Sequence, residues 1–300
     1  MYYGIMPSIG ENIAELRCFA NLFSASALER FVVQRDTSYL KTLISRYGIH
    51  SNESVNTIGD YYNYAFNSLL KNYRNEYVYK NLILNKLLLG KHRLTTTTII
   101  NEFRIGTSIA DLVMINGCAK VFEIKTELDS PYRVNGQLAD YRKVFENVYL
   151  VTHHSLVEKY VAQLDSQVGV IALTKNNTLS IVRESLQYSE ELDSETMFRC
   201  LRKAEYSAII KSYYGALPDA TPARYFTVCK ELFAEIPVAI LYKLMLSELK
   251  KRSVKEKEKF ASNEFSHPVL KQLLWNLNFS AEQYDKLVTG FNSSLTINKI

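Results

Sequence analysis

Residues 98–127 read TIINEFRIGTSIADLVMINGCAKVFEIKTE, and the fold turns on how this stretch pairs with itself. Short β-branched runs alternate with turn residues, which is the signature of strands joined by tight connections. Gly106-Thr107 suits a type II′ hairpin turn, with Gly in the first central position. That turn pairs Ile105 with Ser108 and sets Glu102 opposite Asp111. Asn116-Gly117 is a second hairpin signal. A two-residue loop there pairs Asp111 with Phe122. A three-residue loop through Cys118, with a bulge, pairs Asp111 with Glu123. The strand pattern alone leaves both open. The second register puts Leu112, Met114, Phe122 and Ile124 together on an apolar face, and so is favoured.

In that register Asp111 and Glu123 share one sheet face, with Lys125 two residues beyond Glu123. An unpaired carboxylate in an otherwise apolar strand is costly. Phosphodiester hydrolysis needs a hard cation that polarises a phosphoryl oxygen and activates water. Mg²⁺ takes carboxylate oxygens and keeps several waters, and Asp and Glu on neighbouring strands are close enough to share it. A neighbouring Lys can orient the water and offset developing charge. A regular first strand would also bring Arg104 to this face, either to neutralise Glu102 or to contact phosphate.

Working outward, residues 75–89 (NEYVYKNLILNKLLL) carry apolar positions at helical spacing, and Gly90 suits the end of that helix. PYRVNGQLADYRKVFE, residues 131–146, predicts a helix with Val134, Leu138, Tyr141 and Phe145 on one face and Pro131 in its first turn. NVYLVTH, VGVIAL and LSIVRE follow as further strands. Residues 190–300 return to helical periodicity, broken by ALPDATPA (216–223), Pro237 and Pro268. The expected class is α+β: a central αβββαβ domain over 71–185, between a helical N-terminal region (1–70) and a helical C-terminal region (186–300).

Composition narrows the function. At 300 residues, 47% hydrophobic and 22% charged, the chain is that of a globular protein rather than a disordered or fibrous one. The net charge of +5 falls wholly within residues 201–300, with 15 basic and 10 acidic side chains there. It is densest at Lys250, Lys251, Arg252, Lys255, Lys257 and Lys259, interleaved with Glu256 and Glu258, which reads as a solvated helix end or a partner contact. Cys18, Cys118, Cys200 and Cys229 show no metal-ligand spacing and read as reduced thiols of a cytoplasmic protein. No signal peptide or membrane span is visible. Tyr is over-represented at 21 residues and can fill core edges or stack on bases. His153-His154 reads as a polar strand end, and Lys91, His92 and Arg93 as a loop that could meet phosphate.

Asp111 followed by Glu123-Ile124-Lys125 resembles the PD-(D/E)XK nuclease superfamily, and so does the order of elements from about residue 72 to 182. Gln137-Leu138-Ala139-Asp140-Tyr141 resembles the QLxxY motif of its RecB-like members. The chain is similar to a group of bacterial and phage nucleases of this superfamily. The Pro of the family's motif is absent, and Ala110 stands before Asp111. The resemblance implies the restriction-endonuclease and Holliday-resolvase core and hydrolysis of nucleic acid, DNA first, with Mg²⁺ or Mn²⁺. It implies that Asp111, Glu123 and the carbonyl of Ile124 bind the metal, with Glu76 or Glu102 as a further ligand, and that Lys125 serves the attacking water. Gln137 joins the catalytic set. Tyr141 and Arg133, with Arg104 and Arg142, are candidates for substrate contact. The alternative is a module of the same fold that binds nucleic acid, or a protein through its helical flanks, without catalysis.

Overall fold

The computed structural model describes residues 9–49, 55–88, 96–252, 260 and 267–295. Gly90, Lys91, His92, Arg93, Lys255, Glu256, Lys257, Glu258 and Lys259 lie outside the described residues. The chain is an α+β protein and divides into two units, residues 1–85 with 254–300, and residues 86–253. This differs from three consecutive zones. The last segment of the chain returns to the first helices, while residues 194–250 pack on the sheet, because both helical stretches carry apolar faces that need burial.

The first unit holds α1 (Ile9–Leu22), α2 (Ala25–Gln34), α3 (Ser38–Tyr47), α4 (Ile58–Asn72) and α5 (Glu76–Ile83), with α12 (Lys271–Leu277) and α13 (Ala281–Phe291) from the far end of the chain. Thr57 and Asp60 form a capping box that starts α4, and the Asn75 side chain caps α5. Gly290 lies so close to the Phe31 ring that a Cβ there would sit 2.7 Å from it, which lets α13 close on α2. The tyrosine excess is spent largely on cores: Tyr61, Tyr62, Tyr79 and Tyr284 here, and Tyr141 and Tyr160 in the second unit, are fully buried.

The second unit is built on a six-stranded open mixed sheet in the order β1-β2-β3-β4-β5-β6, with β1 (Thr98–Ile105), β2 (Ser108–Asn116), β3 (Cys118–Lys125), β4 (Asn147–His153), β5 (Gly169–Leu173) and β6 (Leu179–Arg183). β1, β2 and β3 form an antiparallel meander, β3, β4 and β5 run parallel, and β6 returns antiparallel. Parallel neighbours need crossovers. These are α6 (Val134–Arg142), entered through a 3₁₀ turn at Pro131–Arg133, and α7 (Val157–Gln163). α8 (Ser194–Cys200), α9 (Lys203–Tyr214), α10 (Pro222–Glu235) and α11 (Val238–Lys250) complete the unit.

The first hairpin pairs Ile105 with Ser108, and Gly106 takes φ 57°. The second pairs Asn116 with Cys118 and Leu112 with Phe122 around Gly117 at φ 74°, which is the longer-loop register. One apolar cluster joins Phe103, Val113, Val121 and Leu150 of the sheet to Val134, Leu138 and Tyr141 of α6, and to Phe198, Phe233 and Met245 of the later helices. Leu112, Met114, Phe122 and Ile124 are buried outside that cluster.

Candidate functional site

Regular pairing stops where the acidic residues stand. β1 and β2 pass from Asn101↔Leu112 to Phe103↔Ala110, stepping over Glu102 and Asp111. Glu102 takes φ 52°, a left-handed conformation that a side chain adopts at a cost. The irregularity reverses the faces of the outer half of β1. Ile100 packs against the apolar cluster and Phe103 and Ile105 belong to it. Arg104, between Phe103 and Ile105, therefore points to the opposite side, which corrects the expectation that it shares the carboxylate face. Glu102 remains in register opposite Asp111 and is exposed.

The β2–β3 ladder likewise ends at Leu112↔Phe122, one step short of Asp111 and Glu123. Asp111 instead reaches across, and its Oδ2 accepts the Ile124 backbone N–H at 2.6 Å. A side-chain oxygen stands where a ladder carbonyl would, so the strands part without leaving the buried donor unsatisfied.

Glu123 is 2% exposed. Its Oε1 accepts from Lys125 Nζ at 2.7 Å and its Oε2 from the Tyr141 hydroxyl at 2.6 Å. Tyr141 also lies 2.8 Å from the Ile109 carbonyl. Burial pushes the Tyr141 phenol far above its ordinary value, and the carboxylates of Glu123 and Asp111 push it the same way. Tyr141 therefore remains a proton donor through the working pH range. The buried Thr152 of β4 donates to the Lys125 carbonyl at 2.7 Å, fixing the backbone from which the ammonium projects.

α6 is docked by a contact that the sequence pattern did not single out. Asp140 Oδ2 accepts from Ser108 Oγ at 2.7 Å, tying the helix to the first hairpin. Burial pushes the Asp140 carboxyl upward, but hydrogen bonds from Ser108 and Lys143 outweigh it and hold the pKa below its ordinary value. Gln137, one turn earlier, lines a cavity of about 510 Å³ with Lys125, Ser130, Tyr132 and Arg133. Its Oε1 is buried and has no hydrogen-bond partner. Only the hydroxyl-rich Thr107-Ser108 turn could have pointed to Asp140, and nothing in the pattern marked Tyr132.

Other candidates carry partners of their own. Arg142 is committed to structure: its guanidinium meets Asp165 at 3.1 Å and Glu191 at 2.9 Å, and it bonds Gln167, so it is not presented to a nucleic-acid backbone. Glu76 belongs to the first unit, where it pairs with Lys80 at 2.5 Å. His153 ends β4 beside Glu127 at 3.4 Å, its ring 4.0 Å from that of His154. In the C-terminal basic run, Lys251 pairs with Glu248 at 2.6 Å and Arg252 with Glu205 at 2.5 Å, so both charges are locally balanced.

Among the described residues, no group of three or more His, Cys, Asp and Glu side chains gathers as a metal site. The donors here are two carboxylates, Asp111 and Glu123, brought to the point where two strands part. Each carboxylate oxygen has two lone pairs, so the contacts from Lys125, Tyr141 and Ile124 leave acceptor capacity. Two carboxylates with retained waters match the chemistry of a hard divalent cation.

Among the described residues no helix is long and apolar enough to cross a membrane. No solved structure matches the chain. Protein cII of Enterobacteria phage P4 is 27% identical to it over 192 residues, which cover 61% of this chain and 68% of that protein. Residues 70–278 match the family described as Bacteriophage P4 protein cII, a span that includes the whole sheet, the acidic pair and the helices that cover them. The chain belongs to the bacteriophage P4 protein cII family.

Proposed function

We propose that this protein is a metal-dependent nuclease of the PD-(D/E)XK kind, hydrolysing phosphodiester bonds of nucleic acid, DNA in the first instance. One observation carries the reading: Lys125 and Tyr141 both donate to Glu123 beside Asp111, where β2 and β3 part, and Lys125 and Gln137 line one cavity. The antiparallel β1-β2-β3 meander, followed by α6 and a parallel β4, supports a restriction-endonuclease-like core.

Asp111 and Glu123 would hold Mg²⁺ or Mn²⁺, which when bound polarises a phosphoryl oxygen and lowers the pKa of bound water. The chain's own residues supply the rest. Lys125 places a cation at the mouth of the site, where it orients the attacking water and offsets charge growing on the phosphate. Tyr141 holds Glu123 in place from below as a permanent donor. Gln137 borders the cavity, with its Oε1 buried and unpaired behind the wall. Glu102 is retained as the further acidic candidate on its position opposite Asp111.

A second reading, a nucleic-acid-binding module without catalysis, is favoured by the way Lys125 and Tyr141 already engage both oxygens of Glu123. Cleavage of supercoiled, linear and single-stranded DNA with Mg²⁺ or Mn²⁺ separates the two. The nuclease gives metal-dependent cleavage that Glu123→Ala abolishes. The binding module gives retention of DNA with none.

A further inference from the structure

A cavity lies beside Lys125. Its walls are Lys125, Ser130, Tyr132, Arg133 and Gln137, and of its two cations Lys125 is paired with Glu123 and Arg133 stands on the 3₁₀ turn. The nearby Asp129 accepts from the Thr126 N–H and hydroxyl at 2.8 Å each. Its volume, about 510 Å³, falls within the range of about 300–1,000 Å³ of sites that enclose one small ligand.

Tyr132 is the most exposed tyrosine among the described residues. Most of the buried ones fill cores, whereas Tyr132 is 92% exposed. A lone exposed aromatic is ordinary on a protein surface. This one stands on the cavity wall, on a short 3₁₀ turn whose backbone is set by Pro131 and by the Ser130 cap. The turn sets the backbone from which the ring reaches solvent at the cavity's edge. Beside it, Lys125 and Arg133 suit an anion.

We infer that this cavity takes one unpaired nucleotide: its phosphate lies at Lys125 and Arg133, and its base stacks on Tyr132. A base within a duplex has both faces covered by its neighbours, so the ring can engage only a base that is single-stranded, frayed or displaced. The substrate class is therefore a single strand, or a junction bearing one, rather than continuous duplex. The inference rests on the reading of this site as one that takes nucleic acid, and it adds the strand form.

The test measures binding without metal, so that it does not depend on cleavage. Fluorescein-labelled dT12 and a hairpin duplex of equal length are titrated in EDTA against wild type, Tyr132→Ala, Tyr132→Phe and Arg133→Ala, with melting temperatures as a fold control. Wild type should bind the single strand more tightly. Tyr132→Ala should lose about five- to a hundred-fold, the range of one stacked base, while Tyr132→Phe stays within about two-fold. Arg133→Ala should flatten the slope of log affinity against log salt by about 0.7, one phosphate contact on a single strand. Equal affinity for the two DNAs, no binding, or Tyr132→Ala indistinguishable from wild type overturns the inference. Tyr132-dependent binding without cleavage under any metal would sink the nuclease reading and leave this one standing; cleavage with Tyr132→Ala binding unchanged does the reverse.

Discussion

Replacing Lys125 by Met keeps the length and apolar stem of the side chain and removes only its charge. Glu123 is 2% exposed and Lys125 is 12% exposed, their atoms 2.7 Å apart, so the pair is shielded from water. Removing one partner of a buried ion pair costs about 3–5 kcal/mol, because the other charge stays buried and uncompensated. Here Tyr141 still donates to Glu123 Oε2 at 2.6 Å, which retains a charge-assisted hydrogen bond of about 1.5–3 kcal/mol. The expected loss for Lys125→Met is therefore at the lower end of that range, about 3 kcal/mol in metal-free protein, read as a lower urea midpoint at unchanged slope. The same vacancy of positive charge beside Asp111 and Glu123 should favour a divalent cation. Mn²⁺ should therefore raise the melting temperature of Lys125→Met more than that of wild type, even as its cleavage rate falls. Glu123→Gln in the same background should recover most of the lost stability, giving a coupling energy well outside the error of a double-mutant cycle. A Lys125→Met protein within about 0.5 kcal/mol of wild type, the ordinary scatter of surface substitutions, would show that the pair does not shape the site.

Asp140→Asn should lower stability at neutral pH. Its folded pKa lies below the unfolded one, so the stabilisation is present above the unfolded value and is lost as pH falls through the folded one; the gap from wild type should close on acidification below about pH 4 in urea titrations run across pH. Glu102→Gly should leave stability unchanged or raise it by up to about 1 kcal/mol, since φ 52° suits glycine, while single-turnover cleavage falls if the carboxylate assists the metal. Gly169→Ala should cost about 1–3 kcal/mol by thermal or urea unfolding, because the added Cβ would lie 2.3 Å from the Tyr149 ring and 2.8 Å from the Ser185 nitrogen.

Much of the second unit is legible in its sequence because its signals are local. The β-branched runs, Gly106 and Gly117 dictate strands and turns, and the Val134, Leu138, Tyr141 and Phe145 stripe dictates the buried face of α6. What the pattern could not give arises where regularity breaks. A strict period of two carries Arg104 to the carboxylate face; one left-handed residue, Glu102, turns it away. The same period pairs Asp111 with Glu123; the side chain of Asp111 instead takes a backbone donor. The partition into units was hidden for another reason. That α13 returns to α2 and α4, while α8 to α11 cover the sheet, depends on contacts far apart in the chain, which no local period encodes. The fates of Arg142 and Arg252 depended likewise on distant carboxylates.

The most direct test of the central claim is single-turnover cleavage of radiolabelled single-stranded and plasmid DNA with Mn²⁺, comparing wild type with Glu123→Ala and Lys125→Ala. Wild type should cleave only when metal is present. Glu123→Ala should lose cleavage together with Mn²⁺ binding. Lys125→Ala should fall by about 10²–10³ in rate, as expected when a group that stabilises developing charge is removed. Equal cleavage by all three proteins, or none by folded, DNA-bound wild type with either metal, would contradict the account.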